Sequence, residues 1–146
     1  LLLNTDIRIA TPEARFAQLE VQRGIYPCGG GTVRLPREIG WSNAQRYILT
    51  GEEFTAQQAL EWGMVQELVE YEQLHEHARS LAHKIAKAAP LAVSAALKSA
   101  KICRLQGQEV ALKAVFNDLP QIMMSQDAQE GVRSFLERRE ARFMGK

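Results

Sequence analysis

The sequence predicts an α/β fold in two parts, a mixed part over residues 1–89 and an all-helical part over residues 90–146. Three observations support this prediction. Asp6–Ala10 and Met64–Val69 alternate polar and apolar residues, a pattern typical of half-buried strands. From Tyr71, apolar residues recur every three or four positions, as on one face of a helix. The last part carries helix patterns and no strand pattern.

The mixed part is punctuated by proline and glycine. Pro12 cannot donate to a strand ladder, so it separates the first strand from a second one predicted at Arg15–Leu19. Three consecutive glycines follow, and the next residues suit a helix. Pro36 is expected to limit this helix to a few turns or to kink it, and Gly40 to end it.

Two further helices are predicted before the strand pattern at Met64–Val69. Ser42 is placed to cap the first of them, which ends at Gly51. Thr55 and Gln58 have the spacing of a capping box, in which each side chain bonds the other residue's backbone N–H. The capping box predicts a short helix over Ala56–Trp62.

The all-helical part is expected to contain three helices, Leu91–Cys103, Gln108–Met124 and Asp127 to about Arg142. Pro90 suits the first turn of its helix, where a missing N–H costs little. Asp127 and Glu130 are predicted to cap the last helix as a pair.

The composition is that of an ordinary folded protein and narrows the class of function. Of 146 residues, 46% are hydrophobic and 24% charged, and 18 Lys and Arg stand against 17 Asp and Glu. Because its net charge is close to zero, the chain has no overall positive electrostatic potential that would attract nucleic acid or an anionic membrane. We therefore expect neither as a partner. Cys28 and Cys103 lack metal-ligand spacing and predict free thiols in a reducing, cytoplasmic environment.

The chain begins in an apolar stretch, LLLNTDIRIA, without an initiator Met. The stretch has no basic leader region and no cleavage-site pattern, so it predicts neither a signal peptide nor a membrane span. We therefore expect the 146 residues to be a piece of a longer chain that continues upstream of Leu1.

The stretch Phe16–Gly40 combines a lone carboxylate, Glu20, with Pro27, Cys28 and the glycines Gly29–Gly31. Glycines that open a helix leave its first N–H groups uncovered, which favours an anion or a dipole at that end. The run matches neither common glycine pattern for nucleotides. It predicts either a tight turn that lets a helix approach a strand or a loop that faces a ligand, and the residues leave both open.

Other candidate groups give weaker signals. His75, His77 and His83 share one predicted helix without metal-ligand spacing, so we expect solvated histidines and no metal site. Cys28 could act as a nucleophile at a helix start, but no histidine lies near it in sequence. Glu20 lies between an apolar strand and the glycines, which favours a role in proton transfer.

Four motifs occur in order along nearly the whole chain: D-I-R-I-A, F-x-Q-x-E-V-x-x-G-I-x-P-x-x-G-G-T-x-R-L-P-R, L-T-G-x-x-F-x-A-x-x-A-x-x-x-G-x-V and E-G-x-x-S/A-F-x-E-x-R. Together they resemble the enoyl-CoA hydratase/isomerase family, the crotonase superfamily. The resemblance implies the C-terminal part of a spiral of ββα turns, followed by a helical trimerisation segment. It also implies acyl-CoA thioester substrates, coenzyme A only as part of the substrate, and a homo-oligomer that is a trimer or a dimer of trimers.

The resemblance assigns roles residue by residue. Glu20 is similar to the second of the two hydratase glutamates. Cys28 is similar to the loop residue whose backbone N–H helps to hold the catalytic water, and Gly29 belongs to the same substrate-binding loop. Phe135 and Arg138 correspond to the place where the last helix of the family reaches the coenzyme A of a neighbouring subunit.

The resemblance also shows what the chain lacks and where it departs from the pattern. The first catalytic glutamate would directly precede Leu1, and the two oxyanion-hole segments would lie farther upstream. Ala17 and Leu19 replace the common Gly and Pro beside Glu20, and Arg23 places a charge where an apolar residue is frequent. These differences leave the acyl-chain preference open.

The function implied by the resemblance is that of an enoyl-CoA hydratase of fatty acid metabolism, which adds water across the 2,3 double bond of a 2-enoyl-CoA. Two alternatives remain open at this point. One is an enoyl-CoA isomerase, which needs a single carboxylate. The other is a non-catalytic binding module with the crotonase fold.

Overall fold

The computed structural model describes all residues from 1 to 146. Its strands are Ile9–Ala10 (β1), Arg15–Phe16 (β2), Phe54–Thr55 (β3) and Glu67–Leu68 (β4). Its α-helices are Gly31–Ile39 (α1), Trp41–Thr50 (α2), Ala56–Glu61 (α3), Tyr71–Ala86 (α4), Pro90–Gln106 (α5), Gln108–Ala114 (α6), Leu119–Met123 (α7) and Gln126–Leu136 (α8). Two 3₁₀ turns cover Leu2–Asn4 and Glu20–Arg23.

The chain forms two compact units, Leu1–Arg79 (the first unit) and Ser80–Lys146 (the second unit). The division falls within α4, ahead of the boundary predicted at residue 90. No helix of the structure combines the length and the apolar character that crossing a bilayer requires.

Two short strand pairs organise the first unit. β1 runs parallel to β4, with Ile9 opposite Glu67, and β2 runs antiparallel to β3, with Phe16 opposite Phe54. A parallel pair needs a long crossover, which here includes α1, α2 and α3. The strand expected at Arg15–Leu19 is only two residues long, Arg15–Phe16. β3 was not predicted because two residues carry no periodic signal.

Apolar packing fills the first unit. The ring of Phe54 is 2% exposed and lies 4.9 Å from the ring of Tyr47 and 5.5 Å from the rings of Phe16 and Trp62, measured between centroids. The core also contains aliphatic residues of α1, α2, α3 and the segment after α3: Leu35, Ile39, Ala44, Ile48, Ala59, Met64 and Val65. This core joins the helices to the strand pairs.

The helix starts of the first unit follow the predictions in part. α1 contains Pro36 and ends after nine residues, as its proline and Gly40 led us to expect. α2 begins at Trp41 with Gly40 as its cap, so the prediction of Ser42 as the cap was wrong. The capping box of Thr55 and Gln58 is confirmed, since both reciprocal hydrogen bonds are present.

The second unit is helical, but its helices differ from the prediction. Pro90 is confirmed in the first turn of α5, which continues to Gln106. The single helix expected over Gln108–Met124 is two helices, α6 and α7, and Pro120 lies in the first turn of α7. A proline restricts the residue before it and removes an N–H, so it favours a helix start here.

The last helix is also shorter than predicted, because the chain reverses. α8 ends at Leu136, and Arg138 adopts a left-handed conformation with φ of 53°. The cap is Ser125, whose hydroxyl accepts from the Ala128 N–H, so the predicted capping pair of Asp127 and Glu130 was wrong. Both carboxylates instead bind the tail that follows.

The tail of residues 137–146 lies back along α8. The buried carboxylate of Asp127 accepts from the N–H groups of Met144 and Gly145, at 2.7 and 2.8 Å. Glu130 accepts from both terminal nitrogens of Arg139 and from the Arg142 N–H. These bonds satisfy tail backbone groups that no helix or sheet pairs.

Candidate functional site

A cavity of about 380 Å³ lies in the first unit, and we call it the Glu20 cavity. Its walls come from the 3₁₀ turn at Leu2–Asn4, from the chain after β2 and from the start of α1. Apolar side chains close part of it, namely Leu35, Phe54 and Met64. Glu20 is the one carboxylate among its lining residues.

Glu20 begins a 3₁₀ turn, directly after the segment Arg15–Leu19 that was predicted as a strand. Its carbonyl accepts from the Ile25 N–H at 3.2 Å, which fixes the start of this turn. Its Oε2 atom is buried and has no hydrogen-bond partner in the protein. A buried carboxylate oxygen without a partner is costly, so the site favours a water or a substrate group that donates to it.

The glycine loop also lines the cavity, through Gly29, Gly30 and Gly31. Gly30 caps α1 with φ of 94°, and no side chain caps this end of the helix. A Cβ on Gly31 would lie 2.2 Å from Oε1 of Gln18 and 3.0 Å from Cβ of Pro27. The two interpretations of this loop are therefore compatible, because it makes a close approach and also faces a cavity.

Cys28 and Gly29 have different surroundings. Cys28 is exposed, does not line the Glu20 cavity, and its N–H donates to the Tyr26 carbonyl at 2.6 Å. Gly29 lines the cavity together with Glu20. The geometry thus favours Gly29 over Cys28 as a backbone contact for a molecule in the cavity.

Arg34 is a cavity residue that the sequence did not identify as one. Its Nη1 donates to the Gly29 carbonyl at 3.2 Å, so its guanidinium lies over the glycine loop. The available signal was its spacing, because a residue four positions after the cap of a helix lies one turn above that cap. Arg34 therefore places a positive charge at the cavity.

The other two predicted site residues belong to the second unit. Phe135 is near the end of α8 and its side chain is 82% exposed. Arg138 is exposed and lies beyond the helix, at the point where the chain reverses. Both side chains are accessible on the surface of this chain.

The histidines have no metal-ligand arrangement in this structure. His77 contacts the Glu67 carboxylate, which joins α4 to β4. No group of three or more His, Cys, Asp or Glu side chains is placed to hold a metal ion.

Glu20 and the glycines that open α1 thus line one cavity of the first unit. The model of the enoyl-CoA hydratase/isomerase family matches residues 1–146. The chain therefore belongs to the enoyl-CoA hydratase/isomerase family, within the crotonase superfamily.

Curated relatives match the whole of this chain with part of their own length. The chain is 38% identical over 150 residues to the 2,3-dehydroadipyl-CoA hydratase of Escherichia coli strain K12, and it covers 57% of that protein. It is 36% identical to the carnitinyl-CoA dehydratase of Proteus mirabilis strain HI4320, of which it covers 58%. The chain thus spans little more than half the length of these relatives.

Solved structures share the fold. A probable enoyl-CoA hydratase/isomerase from Mycobacterium abscessus superimposes with a TM-score of 0.94 at 43% identity, over 99% of this chain and 56% of that one. An enoyl-CoA hydratase from Bacillus anthracis gives a TM-score of 0.93 at 34% identity, with the same shares covered. The predicted fold class, the C-terminal part of a crotonase-type α/β fold, is confirmed.

Proposed function

We propose that this chain is part of an enoyl-CoA hydratase, which adds water across the 2,3 double bond of a 2-enoyl-CoA. The observation that carries the proposal is the buried, unpartnered Oε2 of Glu20 in a chain whose glycine loop lines the same cavity. Relatives whose names denote hydratases and dehydratases of acyl-CoA compounds support the same reaction type.

The hydration reaction requires an acid and a base at the double bond, and a carboxyl group can serve as either. Attack of the water oxygen on Cβ forms a carbon–oxygen bond and moves an electron pair toward the thioester carbonyl. The water loses one proton to a base, and Cα gains one from an acid. Glu20 would deliver the proton to Cα, and a second glutamate, expected upstream of Leu1, would accept the proton of the water.

The glycine loop would help to hold the attacking water. The Gly29 backbone lies at the cavity surface, and the uncapped first turn of α1 directs N–H dipoles toward that end. We assign the water contact to Gly29 in preference to Cys28, whose N–H is bonded to Tyr26.

The coenzyme A part of the substrate would be bound by residues of another subunit. We propose a homo-oligomer, a trimer or a dimer of trimers, in which Phe135 packs against the adenosine and Arg138 binds a phosphate. The exposure of both side chains in this chain is consistent with that role. We expect no cofactor besides the coenzyme A of the substrate, and a cytoplasmic location.

The test is the substitution Glu20→Gln in the complete protein. Crotonyl-CoA hydration, followed by loss of the enoyl absorbance, should fall by orders of magnitude, because an amide cannot donate or accept the proton at this step. Glu53→Gln is the matched control, since Glu53 is an exposed carboxylate of the same unit outside the cavity. Unchanged hydration in the Glu20 variant would refute the proposed role.

An enoyl-CoA isomerase is the second candidate, because Glu20 is the one carboxylate that lines the cavity. An isomerase moves a proton between carbons and needs no water, so one carboxylate suffices. Assays of the same protein with 2-enoyl and 3-enoyl substrates distinguish the two. Isomerisation without hydration would favour this alternative, and failure to bind any acyl-CoA would favour a non-catalytic module.

A further inference from the structure

Arg8 is the one residue of the first unit that is both charged and buried, with 5% exposure. It directly precedes β1 and does not itself line the Glu20 cavity. Burying a charged pair usually adds little net stability, because the loss of hydration offsets the attraction. A buried arginine with well-formed contacts therefore points to a role in fixing geometry.

The guanidinium of Arg8 bonds in three directions. Nη1 donates to the Thr5 carbonyl at 2.7 Å, Nη2 donates to Oε2 of Glu38 at 2.5 Å, and Nε donates to the Met64 carbonyl. The Arg8 N–H also donates to Oε1 of Gln66 at 2.8 Å. The Glu38 side chain is 8% exposed, so this ion pair is shielded from water.

Each of the three partners lies in, or is bonded to, a different segment that lines the Glu20 cavity. Thr5 closes the turn at Leu2–Asn4 through two bonds to the Leu2 carbonyl, and Leu2 lines the cavity. Met64 lines the cavity itself. Glu38 belongs to α1, whose first residues form the glycine side.

We propose that Arg8 is a positioning residue, whose guanidinium joins the Leu2–Asn4 turn, Met64 and α1 and so fixes three walls of the cavity around Glu20. The guanidinium carries its donors on three separate nitrogens of a rigid planar group, and each of them bonds one of these acceptors. A lysine ammonium carries its three donors on one nitrogen, so it cannot span the same three acceptors. The kinetic part of this inference rests on the proposed function, and the structural part does not.

The experiment compares Arg8→Lys with Arg46→Lys in the complete protein. Arg46 forms an exposed pair with Glu52 in the same unit, so it undergoes the same chemical change outside the cavity. For Arg8→Lys we expect kcat for crotonyl-CoA hydration to fall by about 10- to 100-fold with little change in KM, since small misplacements of catalytic groups cost this much. Arg46→Lys should keep both parameters.

Amide hydrogen exchange of the same variants tests the inference without any activity. In Arg8→Lys we expect faster exchange at Thr5 and Arg34, whose N–H groups bond within the Leu2–Asn4 turn and the first turn of α1. The Gly51 N–H, bonded to Tyr47 at the end of α2, should exchange as before. Uniform acceleration at all three amides would show a merely structural role and overturn the inference.

The outcomes separate this inference from the proposed function. If the unmodified protein does not hydrate crotonyl-CoA, the proposed function fails and the exchange data still decide the role of Arg8. If Arg8→Lys does not fold, Glu38→Ala releases α1 alone and should accelerate exchange at Arg34 but not at Thr5. Unchanged exchange at Arg34 in that variant, or unchanged kcat with unchanged exchange in Arg8→Lys, overturns the inference.

Discussion

The two units of this chain are stabilised by different kinds of contact. Eleven of the twelve buried hydrophobic residues lie in the first unit, so an apolar core holds the strand pairs and helices that form the Glu20 cavity. In the second unit the buried hydrophobic residue is Ala111, and the other buried residues are Ser125, Asp127 and Ser134. Hydrogen bonds and ion pairs to the tail replace a core there.

This difference bears on how a site can be built. The first unit brings Glu20, the glycine loop and Arg8 into a fixed arrangement through contacts within one chain. The second unit leaves large apolar side chains on the surface of this chain, among them Leu105, Phe116 and Leu136. Extensive exposed apolar surface usually marks an interaction site, which supports the proposed homo-oligomer.

The largest loss of stability should come from removing a large side chain from the apolar core of the first unit. Phe54→Ala removes a ring that contacts three other aromatic rings, so we expect the free energy of unfolding to fall by about 3–5 kcal/mol. Urea unfolding measures the change. Phe116→Ala is the matched control in the second unit, because its ring is 69% exposed. An equally large effect at Phe116 would contradict this difference between the two units and would show that another chain buries the Phe116 ring.

A smaller effect is expected when the second unit loses the carboxylate of Asp127, which binds the tail. Asp127→Ala deletes a buried carboxylate that accepts two backbone N–H groups. Because water can bond both N–H groups once the tail detaches, we expect the free energy of unfolding to fall by about 1.5–3 kcal/mol in total. The tail should detach locally, with faster amide exchange at Met144 and Gly145. Asp127→Asn keeps one acceptor and should be intermediate. Retained protection in Asp127→Ala would show that other contacts hold the tail.

Loss of the capping box should lower the free energy of unfolding by a still smaller amount. Thr55→Ala removes the acceptor for the Gln58 N–H at the start of α3, and we expect about 1 kcal/mol of destabilisation. Thermal unfolding detects it as a lower Tm. Thr55→Ser keeps the hydroxyl and should retain most of the stability. Equal losses in the two variants would assign the effect to the methyl group.

The smallest effect is the pH dependence of the tail contact. The hydrogen bond from Arg139, followed by that from the Arg142 N–H, lowers the pKa of Glu130 from 4.5 to about 2. Because the folded-state pKa is depressed, this pairing stabilises the second unit above about pH 4.5 and is lost as the pH falls toward 2. An NMR titration of the Glu130 carboxyl carbon measures the midpoint. Arg139→Gln should raise it toward 4.5, and a midpoint near 4.5 without substitution would refute the pairing.

Local features of the fold were predictable from the sequence because neighbouring residues determine them. The capping box at Thr55, the proline start of α5 and the short α1 all depend on residues within one or two turns. The family also followed from the sequence, since its motifs are contiguous. The candidate carboxylate Glu20 was identified in this way, whereas Arg34 was not singled out.

Contacts between distant segments were not predictable in the same way. The break between α6 and α7 and the reversal at Arg138 differ from the prediction, the first because Pro120 starts a new helix and the second because the tail binds back to α8. β3 was missed because two residues show no periodicity, although they pair with β2. In each case except Pro120, the deciding interaction joins residues well separated in the chain.

The sequence by itself determined the identity of the residues and their local structure: a carboxylate at Glu20, glycines that open a helix, and caps and prolines that begin others. Only the tertiary structure decided that Glu20 begins a 3₁₀ turn with one buried, unpartnered oxygen, and that Arg8 joins three walls of its cavity. The physical reason is distance along the chain. Arg8 and Met64 are 56 residues apart, and no local pattern records a hydrogen bond that the folding of the intervening segment creates.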